Sequence, residues 1–161
     1  MAGQWTARLA ELGIELPPVA APVASYVPAL RVGDQVWTSG QLPLVDGTLP
    51  ATGKVGADLE AEEATRLARQ CALNALAAVD DLVGIDRVAR VVKLVGFVSS
   101  APDFTAQPAV VNGASDLIGE IFGEAGAHAR SAVGVAVLPL DAPVELELVV
   151  ELAPGDDPQD D

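Results

Sequence analysis

Apolar residues recur along this chain in two rhythms. Trp5, Leu9 and Leu12 stand at helical spacing and Gly13 follows as a stop, so Trp5 to Leu12 read as a short amphipathic helix. Three prolines between Pro17 and Pro22 mark an extended connector. The rhythm then changes. Tyr26 to Val32 and Gln35 to Thr38 are β-rich runs on either side of Gly33-Asp34, a turn-forming pair, which predicts a hairpin. Gly40 to Gly56 holds four glycines and two prolines and reads as loop with room for one short strand.

From Asp58 the period returns to that of a helix. Asp58 is placed as its cap, Glu60, Glu62 and Glu63 fill an acidic first turn, and the helix runs to about Leu82. Leu67, Cys71, Ala75 and Val79 form one stripe, with Ala64, Ala68, Ala72 and Leu76 beside it. Val88 to Ser99 is dense in β-branched residues and reads as a strand. Asp103 to Gly123 predicts a second long helix, and Gly126 closes the loop after it. Ser131 to Leu138 and Val144 to Leu152 predict two more strands, joined by Pro139-Leu140-Asp141-Ala142-Pro143. In the last, Glu145, Glu147 and Glu151 alternate with Val144, Leu146, Leu148 and Val150, and Val149 breaks the alternation. This order describes an α+β sandwich, with two helices on one face of a mixed sheet and a short N-terminal helix. There is no internal repeat and one domain is expected.

Composition narrows the function. Half of the 161 residues are hydrophobic and only 4% are aromatic, so small side chains allow close helix-on-sheet packing. The apolar surplus points to burial in an oligomer. Nine basic against 23 acidic residues give a formal charge of −14, a field that repels nucleic acid and anionic membrane surfaces. A small anion can still bind at one well-placed Arg, since screening confines the repulsion to about 8–10 Å. Residues 154 to 161 carry four aspartates and no apolar anchor, which predicts a solvated, disordered tail. The single cysteine, Cys71, forbids an internal disulfide and fits a reducing compartment. No apolar run approaches a membrane span and the first residues do not form a signal peptide, so the cytoplasm is the expected location.

Common catalytic constellations are missing. One His and one Cys do not make a metal site, so no metal is expected. No phosphate-cradling glycine motif and no nucleophile elbow are present. What remains is Arg130, in Ala129-Arg130-Ser131-Ala132-Val133, where a helix and loop give way to a strand. A guanidinium there can grip a carboxylate at fixed geometry, or it can form an ordinary surface pair with a nearby Glu. Cys71 is expected to be a small buried group, His128 a loop residue without a role, and Glu145 and Glu151 part of a solvated strand face. Trp5 and Trp37 are expected to pack, with Trp37 able to wall a cleft beside Thr38-Ser39-Gly40.

Several segments taken together carry a resemblance. Thr38-Ser39-Gly40-Gln41-Leu42-Pro43, Ala129-Arg130-Ser131, Leu138-Pro139 and Val144-Glu145-Leu146-Glu147 resemble, in order and separation, the signature of the Rid (reactive intermediate deaminase, YjgF-like) family. Tyr26, the Val95-Gly96-Phe97-Val98 run, Asp103-Phe104 and Val111-Asn112 extend it, so that it covers about residues 22 to 152. Residues 1–21 then form an N-terminal extension, 22–153 the domain and 154–161 the tail. The family's frequent Cys two residues after the Arg is Ala132 here, and the usual Gly-Pro before the Tyr is Ala24-Ser25, which marks a divergent branch.

The resemblance implies a chorismate-mutase-like fold assembled as a homotrimer with clefts between subunits. It implies a 2-iminobutanoate/2-iminopropanoate deaminase-type hydrolase that turns 2-imino acids into 2-oxo acids and ammonia without a cofactor. Arg130 then matches the residue that binds the substrate carboxylate and Glu147 the carboxylate that orients the water. Tyr26, Ser39, Gly40 and Asn112 match residues lining the cleft. A positioned water and one proton acceptor suffice for so electrophilic a carbon. The competing expectation is a non-catalytic trimer that binds a small carboxylic acid at the same Arg. Ribonuclease activity, attributed to some family members under the name L-PSP, is opposed by the negative charge and the lack of a His pair.

Overall fold

The two segments richest in aliphatic residues lie side by side at the centre of a five-stranded sheet. A computed structural model describes residues 3–22 and 24–155. Its strands are β1 (Ala29–Val32), β2 (Gln35–Thr38), β3 (Val88–Ser99), β4 (Ala129–Val135) and β5 (Val144–Leu152), in the spatial order β1-β2-β5-β3-β4. Every neighbouring pair is antiparallel except β3 and β4, which run parallel around the crossover helix. The hairpin turns at Gly33, whose φ of 59° lies in the left-handed region open to glycine.

Helices α2 (Ala61–Val83) and α3 (Gln107–Phe122) cover one face of the sheet. Alternation sorts the side chains. Val144, Leu146, Leu148 and Val150 of β5 are buried against α2, together with Leu67-side neighbours Ala68, Cys71, Ala75 and Leu76. Glu145, Glu147, Val149 and Glu151 point to the other face. Val149 is only 8% exposed despite breaking the polar pattern, because β5 lies between β2 and β3. The outer end of this second face is closed by Leu42, Leu138 and Ala142, with Phe97 and Val135 packed against them.

Helix α1 (Gln4–Leu12) packs against the C-terminal end of α3 and the turn before β3 and buries Trp5 and Leu9 in the main core. Trp5 meets Phe122 edge-on at 4.9 Å between ring centroids and donates its indole N–H to the Val88 carbonyl at 2.7 Å. Gly13 caps its C-terminus, but no residue within the helix caps its N-terminus. Asp86, in the 3-10 turn that precedes β3, accepts from the backbone N–H of Trp5 (2.7 Å) and of Thr6 (3.0 Å) and from the Thr6 hydroxyl (2.5 Å). Burial would raise the Asp86 pKa, but these hydrogen bonds outweigh it and hold the carboxyl below its ordinary value.

Several boundaries differ from the sequence reading, and β1 begins at Ala29 rather than Tyr26 while β4 ends at Val135 rather than Leu138. The α2 helix starts at Ala61, not after Asp58, because the Asp58 carboxylate accepts from the Lys54 N–H at 2.8 Å and closes a separate turn. The α3 helix starts at Gln107 rather than Asp103, with Pro108 in its first turn. Strand β4 begins at Ala129, where pairing to Lys93 starts, so Arg130 lies inside the strand. The part of the predicted tail from 156 to 161 lies outside the described residues. Among the described residues no helix is long and apolar enough to cross a membrane.

Candidate functional site

Arg130 is paired with Leu94 across the parallel ladder, so its side chain leaves β4 on the helix-covered face. There it meets the first turns of α3. Nη1 donates to Asn112 Oδ1 at 2.7 Å and to Ser115 Oγ at 3.1 Å, and Nη2 donates to the Pro108 carbonyl at 3.3 Å. All three acceptors are neutral. Among the described residues Arg130 makes no ion pair, whereas Arg8, Arg69 and Arg90 each sit beside a glutamate. The surface-pair expectation therefore fails for Arg130. Its charge is held in place by dipoles and left without a counter-ion.

The same network takes in two residues that the sequence left without a part. Ser115 Oγ lies 2.9 Å from His128 Nε2, and His128 Nδ1 lies 2.6 Å from the Gly126 carbonyl. His128 is thus tied to Arg130 through Ser115. The signal that could have found Ser115 is its spacing, since residues 112 and 115 share one face of a helix. The helix itself sits close to α2, because a Cβ at Gly113 would overlap the Thr65 carbonyl.

A second group of predicted residues gathers where β2 passes β5. Ser39 donates its hydroxyl to the Val27 carbonyl at 2.5 Å and its N–H to the Pro28 carbonyl at 2.9 Å, which ties down the segment bearing Tyr26. Tyr26 is half exposed and lines, with Gly40 and Gln41, a shallow cavity of about 30 Å³. Gln41 pairs with Leu146 through both backbone hydrogen bonds, at 2.7 and 3.0 Å. This brings Gly40 onto Glu145 so closely that any side chain at position 40 would overlap the carboxylate.

Glu145 is therefore not on a solvated face. It is half buried beside Phe97, and burial first and the neighbouring charge of Glu147 second raise its pKa above the ordinary 4.5. Glu147 lies one pleat along, lining a groove of about 510 Å³ with Trp37, Lys93 and Val95. Trp37 is 52% exposed, so it borders this groove rather than packing in the core. Glu151 pairs with Arg90 at 3.7 Å across the β5–β3 ladder. Cys71 is fully buried under β5, and desolvation, with the Glu145 charge behind it, pushes its thiol pKa well up, so it is an inert packing group.

Within one chain the two groups do not meet. Two strands, β5 and β3, separate β2 from β4, a gap of roughly 14 Å at about 4.8 Å per strand. Arg130 also projects from the helix face and Glu145 from the opposite one. Asn112 joins Arg130, whereas Tyr26, Ser39 and Gly40 join Glu145.

An open mixed sheet under two helices, with an arginine held by neutral acceptors on its edge strand, defines a small α+β protein. The chain belongs to the YjgF/chorismate mutase-like, putative endoribonuclease family, whose model matches residues 6–152. It is 50% identical to Protein TCP17 of Trypanosoma cruzi over 152 residues, covering 93% of this chain and 95% of that protein. It is 35% identical to the 2-iminobutanoate/2-iminopropanoate deaminase of Escherichia coli K12, covering 80% of this chain and 88% of the other. The crystal structure of Atu1372 from Agrobacterium tumefaciens superposes with a TM-score of 0.84 at 45% identity, covering 91% of each chain.

Proposed function

We propose that this protein hydrolyses 2-imino acids to 2-oxo acids and ammonia, with Arg130 gripping the substrate carboxylate in a cleft between copies of the chain. The observation that carries this reading is the guanidinium fixed by three neutral acceptors and lacking a carboxylate partner. Such a group binds a small anion with little reorganisation, and a bidentate grip orients the imine carbon beside it. Family membership and the 35% identity to a deaminase of that specificity support the substrate class.

The chemistry asks little of the protein. A water oxygen bonds to the iminium carbon as the C=N π electrons move to nitrogen, and the water's proton passes to a carboxylate. That proton then goes to the amino nitrogen, ammonia leaves, and the remaining hydroxyl loses its proton to give the 2-oxo acid and an ammonium ion. Of the β5 carboxylates Glu145 and Glu147, the first suits this transfer better. It abuts Gly40 beside Ser39 and Tyr26, and its raised pKa brings it closer to that of an effective proton carrier. Because Arg130 and Glu145 occupy opposite faces of one sheet, a site that uses both is completed by a neighbouring copy. A homotrimer with three equivalent clefts meets this requirement.

The test is release of ammonia and 2-oxo acid from 2-imino acids generated in situ, comparing the wild type with Arg130→Ala. Acceleration by the wild type that the variant loses upholds the reading. Equal inertness of both on small and bulky imines overturns the deaminase and leaves a carboxylate-binding protein.

A further inference from the structure

We propose that His128 and Ser115 are positioning residues that set the direction of the Arg130 guanidinium, through a hydrogen-bond chain whose polarity is fixed at its far end. The inference rests on the carboxylate-binding role proposed for Arg130.

The polarity follows from donor and acceptor chemistry. The Gly126 carbonyl can only accept, so His128 Nδ1, 2.6 Å away, carries the proton. In the neutral ring Nε2 is then the acceptor, and the Ser115 hydroxyl 2.9 Å away donates to it. That commits the only hydroxyl proton of Ser115. A lone pair on Oγ is left facing Arg130 Nη1, at 3.1 Å. Each step forces the next.

The chain closes a set of restraints on the guanidinium. Asn112 Oδ1 and Ser115 Oγ take both Nη1 hydrogens, and the Pro108 carbonyl takes one of the two on Nη2. Three of five donors are thus committed, and the Nε hydrogen and the second on Nη2 remain for a ligand. All three acceptors lie on the first turns of α3, and His128 fixes Ser115 from the turn preceding β4. Without His128 the Ser115 hydroxyl is free to swing its proton toward the guanidinium, where it repels rather than accepts. Loss of the ring is therefore felt at Arg130 although the two side chains share no bond.

A positioning role predicts a selective defect. With 2-oxobutanoate as probe, Ser115→Ala should weaken inhibition about 10- to 100-fold, the range for a hydrogen bond to a charged group. His128→Ala should weaken it about three- to tenfold, as for a neutral hydrogen bond. Ser115→Thr, which keeps the hydroxyl, and His128→Gln, which keeps an acceptor, should restore most of the affinity. In turnover the loss should appear in KM and not in kcat, since Glu145 lies outside the chain.

The control probe is 2-oxobutanamide, which has no carboxylate. Its weaker binding should be unchanged in all four variants. If the acid and the amide lose affinity together, the residues are merely structural and the proposal falls. It also falls if Arg130→Ala weakens the acid while Ser115→Ala and His128→Ala stay within twofold of the wild type, although the Arg130 reading then stands. If Arg130→Ala leaves acid affinity intact, both fall. Thermal unfolding of each variant identifies one that fails to fold, and the other member of the pair then decides.

Discussion

At the scale of single residues, Glu145 and Glu147 of β5 have the same sequence context and different surroundings. Glu145 is half buried against Gly40 while Glu147 lines an open groove, and the first is shifted partly by the charge of the second. If Glu145 accepts the proton, activity needs its ionised form. The rate then falls as pH drops through a pKa that lies above the ordinary 4.5. Glu147→Gln removes a repelling charge, so it should move this acid limb to lower pH while keeping most of kcat. Glu145→Gln should lower kcat by about 10²–10⁴-fold with 2-oxobutanoate affinity retained. The reverse pattern in a kcat–pH profile would assign the transfer to Glu147. Alternation alone could not separate them, because it places both on the non-core face and is silent about what covers that face. The cover over Glu145 comes from a loop some 100 residues earlier in the chain, and only tertiary structure reveals it. Arg130 stood out for a different reason, because Ala129-Arg130-Ser131 resembles part of the family signature, and only the structure puts it inside β4.

At the scale of elements, the strands β3 and β5 keep the limits that their residue patterns predict, since both are long, central and rich in β-branched or aliphatic residues. Helix starts moved, because Asp58 and Asp103 each carry the composition of a cap and only side-chain geometry decides where a cap acts. The α1 helix was legible as a periodic segment but not as an anchored one. Its cap is Asp86, 80 residues away in sequence, and no local rule reaches that far. The carboxylate is held below its ordinary 3.8, so the contribution to stability is complete above that range and is lost as pH falls through the lowered value. Asp86→Ala should therefore cost about 0.5–2 kcal/mol at neutral pH, as for other lost N-caps. The cost should shrink as pH falls through the lowered value, where the wild-type carboxyl also becomes protonated. Urea unfolding of both proteins at pH 7 and at successively lower pH reads this directly, and a difference that stays constant through the acid range would mean that Asp86 acts through packing alone. The helix does not depend on the cap only, since Trp5 and Leu9 are buried in the main core.

At the scale of the whole molecule, two facts bear on assembly in opposite directions. The sheet face away from the helices carries exposed Leu30, Val32, Trp37 and Val133, at 43–60% of their full accessibility. An apolar surface of this kind is costly in water and favours association. Each chain also carries a formal charge of −14, so copies repel one another. The surplus of small apolar residues made the first fact partly legible, whereas which face stays bare emerged only from the sheet order. If the face is buried between copies, then Trp37→Glu puts a charge into that contact and should shift the protein to monomers with its secondary structure intact. Light scattering on the eluting species and circular dichroism measure the two separately. The balance of apolar attraction and charge repulsion adds a second signature. Raising salt from about 10 mM to 150 mM shortens the screening length from roughly 30 to 8 Å, which weakens the repulsion and leaves the apolar term nearly untouched. Dilution should therefore dissociate the wild type more readily at low salt than at physiological salt. Because Arg130 and Glu145 lie on opposite faces of one sheet, imine hydrolysis should fall in step with dissociation. A monomeric Trp37→Glu protein that kept full activity would place the whole reaction within a single chain and rule out a site shared between copies.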